Sequence, residues 1–407
     1  MRSSQLLLSV FLLGILLASG CQSEEKSTSS TNVQTASIEL STGEVAAYQA
    51  EVMDPSSSAS QMKESAMALI STLSAVDAEK AMYKLTDDSV RTNWSNLPAS
   101  IVERFGVRVG DLSDEQRILF HDLIRASSSS QGYQKMAGIM WLDDILHEQS
   151  QERLAQNPDN EFFARLVESW SSDNYWFSFF GNPATDANWG WLLSGHHLAA
   201  NFTVAGDKVG FTPTFLGAEP YEVEKGPFAG WRTLSHEVER GYELMQALSS
   251  EQRDKVLLDV DIPRDVLEGP GRKASLKRFE GLAVSDMTDA QQKLTWRLIE
   301  EYVRNADHDA AEAQLMEIDQ DGLDKLFFSW IGPSDDIDKR YYYRVHGPSI
   351  LIEYIRERGV GGDRGAANHV HSIVRDPGND YGEDWLEMHY KEHHRGGPGG
   401  GGGGPRR

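Results

Sequence analysis

The sequence predicts an α+β protein in which internally duplicated helix–helix–β-hairpin units form an antiparallel sheet packed by helices. Three observations support this class. Apolar residues at helical spacing alternate with short aromatic runs, the turns between those runs contain Gly and Pro, and one order of motifs occurs twice along the chain.

The first copy begins with an amphipathic helix at residues 61–82, followed by an extended segment, VRTNWSNLP, at 90–98. In FGVRVGDLSDEQ, Ser113 or Asp114 is the expected N-cap of a second helix, since either side chain can accept from free amides of the first turn. Residues 174–204, NYWFSFFGNPATDANWGWLLSGHHLAANFTV, are typical of a hairpin of aromatic strands. We expect these aromatic residues in the core, and an aromatic wall of a carbohydrate or peptide cleft is the alternative.

The second copy repeats these motifs in the same order. EGLAVSDMTDAQQ at 280–292 matches FGVRVGDLSDEQ, and KLFFSWIGPSDDIDKRYYYRVHGPSILIEYI at 325–355 matches the aromatic hairpin. Aligning LLSGHHLAANF with RVHGPSILIEY pairs Ser194 with His346. A helical region with a capping pattern at SSEQ lies between the copies. We therefore expect one domain at 59–395, divided into copies at roughly 59–225 and 226–395.

The N-terminus is typical of an exported bacterial lipoprotein. A single arginine precedes an apolar run that is too short to span a bilayer, and LASGC ends at Cys21. We expect a lipoprotein signal peptide at 1–21, lipidation of Cys21, and a membrane anchor facing the periplasm or cell surface; an ordinary signal peptide is the alternative. Residues 22–58 and the Gly/Pro-rich tail at 396–407 contain too few apolar residues to fold, and we expect both to be disordered.

The composition excludes several kinds of site. With 62 acidic and 39 basic residues the net charge is −23, which disfavours nucleic acid as a partner. Cys21 is the only cysteine, so the domain has no disulfide and no thiolate ligand. Any metal ion in the domain must be held by nitrogen and oxygen.

Histidines supply the candidate site. Eight of the twelve fall in three stretches: SGHHL, RVHGPS, and the C-terminal region from HVHSIV to KEHH. In HVHSIV, alternate residues of a strand lie on one face, so both imidazoles can reach one ion. Duplication would bring the turn histidines close to the RVHGPS histidine. The ligands we expect for zinc or copper are His196, His197, His369, His371 and His389, with His346 beside them. The alternative is that the adjacent pair hydrogen-bonds to backbone carbonyls.

Charged residues next to HVHSIV suggest supporting roles. In IVRDPGNDYGEDW, Asp376 or Asp380 could orient His371 or act as a base, and Arg375 could hold an anionic substrate group. The alternative is turn chemistry, because Asp–Pro–Gly–Asn is typical of a tight turn.

These motifs resemble the domain-of-unknown-function family 3500. The resemblance is carried by the G-H-H-L, H-G-P and H-x-H-x-x-x-R-D-P-x-N-D-[FY]-G patterns and covers most of residues 60–394. It implies an exported or extracellular protein and supports the extent of the domain. It implies no reaction.

Two functions follow from the sequence. The first is an exported enzyme, a metal-dependent hydrolase of an extracytoplasmic substrate, with copper redox chemistry as a variant. Its ligands or acid–base groups would be His196, His197, His346, His369 and His371. Asp380 could act as a base, and Arg375 would be available to hold an anionic substrate group. The second is a non-catalytic surface lipoprotein that binds a ligand, a glycan or a metal ion through the same cleft.

Overall fold

The computed structural model describes residues 58–359 and 367–387, and within them it shows the α+β class that the sequence predicts. The α-helices are α1 (Ser58–Thr72), α2 (Ala75–Ala81), α3 (Asp88–Arg91), α4 (Asp114–Ser127), α5 (Ser130–Gln156), α6 (Glu161–Ser169), α7 (Ser235–Ala247), α8 (Ser250–Val256), α9 (Asp289–Val303) and α10 (His308–Asp321). The strands are β1 (Met82–Tyr83), β2 (Val107–Arg108), β3 (Tyr175–Phe180), β4 (Asn188–Gly195), β5 (Leu198–Ala205), β6 (Lys208–Gly210), β7 (Thr214–Ala218), β8 (Leu282–Ala283), β9 (Phe327–Ile331), β10 (Tyr342–His346), β11 (Leu351–Glu357) and β12 (His369–Arg375).

The described strands form one sheet, in the order β1–β3–β4–β5–β7–β12–β11–β10–β9–β8, with β2 on β3 and β6 on β5. Every pairing is antiparallel except β1 with β3. The central pair, β7 and β12, places His371 opposite Gly217. From this pair the strands follow in the same way in both directions, as β7–β5–β4–β3 and as β12–β11–β10–β9. The central pair therefore joins one half of the sheet, which contains β3, β4, β5 and β7, to a second half, which contains β9, β10, β11 and β12 from later in the chain.

Helix starts follow the capping patterns in the sequence. Ser113, Ser249 and Thr288 each accept from the backbone amide of a glutamine three residues later, and the glutamine side chain accepts from the amide of the cap in return. The prediction of an N-cap before DEQR is confirmed, with Ser113 as the cap. These local bonds fix where α4, α8 and α9 begin.

Two predicted elements differ from the structure. The helix expected at 61–82 is two helices, because Ser74 caps α2 by accepting from the Asp77 amide and so interrupts the run. The segment 90–98, expected to be extended, begins inside α3 and then becomes irregular. Its Trp94 is buried and donates from Nε1 to the Tyr381 hydroxyl at 2.9 Å, so tertiary packing determines its conformation.

Both faces of the sheet are covered. On one face the helices pack against alternate strand residues such as Phe177, Leu193 and Tyr343, which are buried. On the other face irregular segments bring Trp94 and Val266 against strand residues, which include Phe215, Tyr342 and Ile373. The strand aromatics are thus core residues, as the sequence predicts.

One of these segments, residues 258–280, is called the covering segment. It is fixed to the sheet by the buried carboxylate of Glu353, which accepts from the amides of Leu267 at 2.6 Å and Glu268 at 2.7 Å. A carboxylate that accepts backbone N–H bonds offsets much of its cost of burial. The covering segment is therefore held in a defined position over the sheet.

Several predictions fall on other parts of the chain. The predicted signal peptide, Cys21, nearly all of the tether, His389 and the Gly/Pro tail lie outside the described residues. Among residues 58–359 and 367–387, no helix combines the length and hydropathy that crossing a bilayer would need.

Candidate metal centre

The two adjacent histidines form the turn between β4 and β5. His197 has φ of 60°, in the left-handed region that residues with a side chain seldom adopt. Its amide donates to the Asn96 carbonyl at 3.2 Å, and its own carbonyl accepts from the Gly217 amide at 2.7 Å. The unusual backbone is thus held from both sides, which is the setting in which strained residues persist at functional sites.

Strand β12 brings two more imidazoles to the same place. His369 and His371 lie on one face of the strand, as the H-x-H spacing predicts. The Nε2 atoms of His369 and His197 are 2.9 Å apart, and the ring centroids of His371 lie 4.4 and 5.1 Å from those of His369 and His197. These three residues, the histidine triad, offer ligand atoms that all lie within 4.8 Å of one another.

The triad fits a shared transition-metal ion. Nitrogens that each lie ~2.0–2.1 Å from one ion at angles of ~90–110° are about 2.9–3.4 Å apart, so the measured 2.9 Å is suitable. The Nε2 atom of His371 is buried and has no hydrogen-bond partner. An unsatisfied buried nitrogen costs stability, so a ligand for it is expected.

A carboxylate orients one imidazole of the triad, that of His371. His371 Nδ1 lies 2.9 Å from Asp265 Oδ1 and 3.5 Å from Glu357 Oε1. Asp265, in the covering segment, is itself positioned by the Asn96 side-chain amide at 3.2 Å. Glu219 Oε2 lies 4.0 Å from His369 Nδ1. The carboxylate of Asp265 at Nδ1 of His371 fixes the tautomer of that ring and leaves Nε2 as the nitrogen available to a metal ion.

A second pair lies against the triad. His196 Nδ1 is 2.7 Å from Asp143 Oδ1, and the Tyr175 hydroxyl donates to Asp143 Oδ2 at 2.9 Å; we call Asp143 and His196 the aspartate–histidine pair. The rings of His196 and His197 stack with centroids 3.7 Å apart. The ring of Trp170 stacks on that of His196, with centroids 6.3 Å apart. The pair therefore supports the ring of His197 from the side of α5.

Burial controls the electrostatics of the site. It lowers the pKa of His197 and of His369 well below the usual value, and the charges of neighbouring imidazoles lower both further. Burial also acts to lower the pKa of His371, but the hydrogen bond and charge of Asp265 outweigh it and the pKa is raised. Burial raises the pKa of Asp143 against the opposing effect of His196. Two of the three triad imidazoles are therefore neutral at pH 7, which is the form that binds metal ions.

The matched family bears on this region of the chain. A family model described as "Protein of unknown function (DUF3500)" matches residues 55–383. The chain belongs to this family. The matched range contains the whole histidine triad and its carboxylates. No curated protein and no solved structure matches the chain.

In this DUF3500 chain, the remaining predicted site residues lie elsewhere. His346 ends β10, four strand positions from β5, which corresponds to about 19 Å at ~4.8 Å a strand. Its ring packs edge-on against Phe279 at 4.6 Å, and burial, with the charge of Arg344, lowers its pKa to about 4. The expected approach of His346 to the turn histidines is therefore wrong, because β7, β11 and β12 lie between them.

Arg375 and Asp380 contact each other and not the triad. Arg375 Nη1 donates to Asp380 Oδ2 at 2.6 Å, and Nε donates to the Glu268 carbonyl at 2.8 Å. Asp376 Oδ1 accepts from the amides of Gly378 and Asn379, as a tight turn requires. Asp265, and neither Asp376 nor Asp380, orients His371. Arg375, Asp376 and Asp380 instead stabilise the turn after β12 and the covering segment.

Four acidic residues of this DUF3500 site were missed by sequence reasoning: Asp143, Glu219, Asp265 and Glu357. One had a usable signal, since Asp143 follows apolar Met140 and Leu142 on the buried side of α5. An acid on an apolar helix face needs a partner, and the partner is His196. Asp265 lies in an irregular segment and has no comparable local signal.

Gly217 makes room for the triad. A Cβ atom there would lie 2.9 Å from His371 Cδ2, 3.0 Å from the Val370 carbonyl oxygen and 3.1 Å from His197 Cδ2. We expect Gly217→Ala to displace both imidazoles, to weaken metal binding and to destabilise the fold by about 1–3 kcal/mol. Metal titration and urea unfolding measure the two effects.

Gly378→Ala is the control for this substitution, because the nearest atom to its added Cβ is Asp376 Oδ1 at an ordinary 3.6 Å. Metal affinity that is equal in the Gly217 and Gly378 variants would contradict the packing argument.

Proposed function

We propose that this chain is an exported, lipid-anchored protein that binds one zinc or copper ion through His197, His369 and His371. The observation that carries the proposal is the convergence of three buried imidazoles, one of which has an Nε2 atom without a hydrogen-bond partner. Nitrogen ligands are suited to both metals, and the only cysteine, Cys21, lies far outside the domain.

The activity we propose is metal-dependent hydrolysis of an extracytoplasmic substrate. His197, His369 and His371 would hold the ion, and the ion would supply the Lewis acidity that hydrolysis needs. Burial raises the pKa of Glu357 to about 7, against the opposing charge of His371. Because Glu357 lies on the Nδ1 side of His371, opposite the Nε2 atom that would hold the ion, this carboxylate would orient the imidazole.

A non-catalytic, metal-binding lipoprotein is the second candidate, and burial of the site favours it. The exposed fractions of His197, His369 and His371 are 3, 7 and 7 %. Such burial limits access for a large substrate and suits storage or transport of an ion. Both candidates bind the metal ion, and only the hydrolase would catalyse a reaction with it.

Export and anchoring rest on the N-terminal pattern. The apolar run, the LASGC sequence and the polar stretch that follows support a lipid anchor on Cys21. Membrane fractions should contain the wild-type protein, and Cys21→Ala should release it to the soluble fraction. A wild-type protein that is recovered as soluble would contradict the anchor.

We further propose that the fold arose by duplication of copies at roughly 59–225 and 226–395. Gly106 and Gly281, with φ of 99° and 106°, would each place a Cβ 2.1 Å from a carbonyl oxygen, that of Phe177 and that of Phe328. The register supports the same alignment, since Ser194 lies opposite Trp176 and His346 opposite Phe327. In this alignment the equivalent of His346 is Ser194, and neither residue belongs to the histidine triad. The two copies would therefore contribute different positions to the site.

Elemental analysis tests the metal site. Protein purified without a histidine tag and dialysed against zinc or copper should hold about one ion per chain. His197→Ala and His369→Ala should abolish this binding, whereas His346→Ala, a buried histidine of the same sheet, should retain it. A wild-type protein that holds no stoichiometric metal after loading would disprove the proposal. Chelator-sensitive hydrolysis of 4-nitrophenyl acetate would favour the enzyme over the second candidate.

A further inference from the structure

A groove follows α5, and the residues that line it do not include the histidine triad. Two cavities form it. One, of about 520 Å³, lies between residues 145–156 of α5 and residues 223–228, and the other, of about 360 Å³, lies between residues 130–135 and 231–236. Residues 223–236, the loop before α7 and the first residues of that helix, therefore run beside α5 in the opposite direction. At ~1.5 Å per helical residue the lining spans roughly 40 Å, which suits an extended polymer. We call this feature the α5 groove.

Phe228 lines the larger cavity and Trp231 the smaller one, and Trp141 contacts both of these rings. Trp141 packs edge-on against Phe228 with ring centroids 4.7 Å apart, and against Trp231 at 5.9 Å. Trp141 is 48 % exposed, the largest exposed fraction of any tryptophan among the described residues, and Phe228 is 36 % exposed. Exposed aromatic rings in mutual contact mark a recognition surface, since folding alone would bury them.

The lining of the α5 groove is polar and of mixed charge. Glu148, Gln149, Glu152 and Gln156 supply carboxylate and amide groups along the larger cavity. In the larger cavity the cations Arg153 and Lys225 are outnumbered by the carboxylates of Glu148, Glu152 and Glu224. Arg153 lies over the Phe163 ring, and Arg232 pairs with Glu239 at 3.0 Å. Lys135, at the floor of the smaller cavity, contacts Glu237 and Glu301 at 2.6 and 2.7 Å. A strongly anionic ligand would therefore find little uncompensated positive charge.

We propose that the α5 groove binds a neutral linear glycan. The apolar face of a sugar ring stacks on an aromatic side chain, and its hydroxyls bond to carboxylates and amides on either side. A polypeptide ligand would favour continuous apolar pockets, and in the cavities here the apolar side chains are interspersed with Glu, Gln, Arg and Lys. The volumes lie in the range of small-molecule sites, so each cavity accommodates a short stretch of the chain. This site is separate from the proposed metal centre and stands whether or not that centre binds metal.

Calorimetry and tryptophan fluorescence with defined oligosaccharides test the proposal on the full chain. The probes are cellohexaose, maltohexaose and hexa-N-acetylchitohexaose, with polygalacturonate as an anionic polymer and poly-L-proline as a peptide. We expect at least one neutral hexasaccharide to bind with Kd between about 10 μM and 1 mM. Trp141→Ala and Phe228→Ala should each weaken binding by about tenfold or more.

Phe162→Ala is the matched control, because Phe162 is an exposed aromatic residue on α6 that lines neither cavity and, unlike Trp141, does not belong to the cluster with Phe228 and Trp231. It should bind the oligosaccharide as the wild type does, and circular dichroism should show all three variants folded. The proposal is overturned if no neutral hexasaccharide binds, if only the anionic polymer or the peptide binds, or if Trp141→Ala and Phe162→Ala bind equally well.

Discussion

Zinc or copper is expected to raise the thermal stability of the wild-type protein. An ion that binds only the folded state, present at about 100 times its Kd, adds about 2.7 kcal/mol, or roughly 4 °C in Tm for a domain of this size. Differential scanning fluorimetry with and without chelator measures the shift. His371→Ala should remove it, because that variant lacks the imidazole whose Nε2 has no other partner. A shift of equal size in His371→Ala would place the ion elsewhere.

The same shift should depend on pH. Ligand imidazoles must be unprotonated, so metal binding releases protons and weakens in acid. The raised pKa of His371 means that this residue protonates first as the pH falls, whereas the lowered pKa values of His197 and His369 keep them neutral. The metal-induced shift should therefore be full near pH 8 and lost towards pH 5. A shift that is constant over this range would contradict ligation by the triad.

The metal-free protein has its own pH dependence from these groups, and the sign differs among them. Lowered folded-state pKa values of His197 and His369 contribute stability that is present above the unfolded-state pKa, about 6.5, and is lost as the pH falls below it. The raised pKa of His371 contributes stability below the same value and loses it as the pH rises through the folded-state pKa. Measurements with chelator present separate these contributions from metal binding.

Arg375→Ala is expected to destabilise the fold by about 3–5 kcal/mol. Arg375 and Asp380 are 2 % and 0 % exposed, so removal of the guanidinium leaves a buried carboxylate without its partner. The substitution also removes the donors to the Glu268 and Gly269 carbonyls, which hold the covering segment and with it Asp265. Urea unfolding should show the loss, and metal affinity should fall as well.

The double variant Arg375→Leu with Asp380→Leu is the control, because removing both charges avoids the unpaired carboxylate and should cost less than Arg375→Ala alone. A folded Arg375→Ala protein of wild-type stability that has lost turnover would instead support the substrate-binding role suggested by the sequence.

Local chemistry explains what the sequence predicted well. The serine and threonine caps of α4, α8 and α9, and the shared face of His369 and His371, depend on residues within four positions of one another. Such features follow from helix and strand geometry alone.

The assembly of the site depends on pairing that no local pattern specifies. The turn of His196 and His197 meets β12 because β5 and β12 both pair with β7, whereas the alignment of the two hairpins suggested His346 as the neighbour. The orienting carboxylates come from α5 and from the covering segment, more than a hundred residues from the histidine that one of them contacts. Non-local packing of this kind leaves little trace in a single sequence.

The position of the triad across the central pair has a consequence for the chain as a polymer. His197 and His369 are 172 residues apart in sequence, and each belongs to a different half of the sheet. A single ion bound by both would close a loop of that length, as a disulfide would, and restrict the unfolded ensemble by an amount that reaches ~4–5 kcal/mol for loops of about a hundred residues or more. A chain without a cysteine pair would thereby gain a removable cross-link. Chelation would open it without breaking a covalent bond.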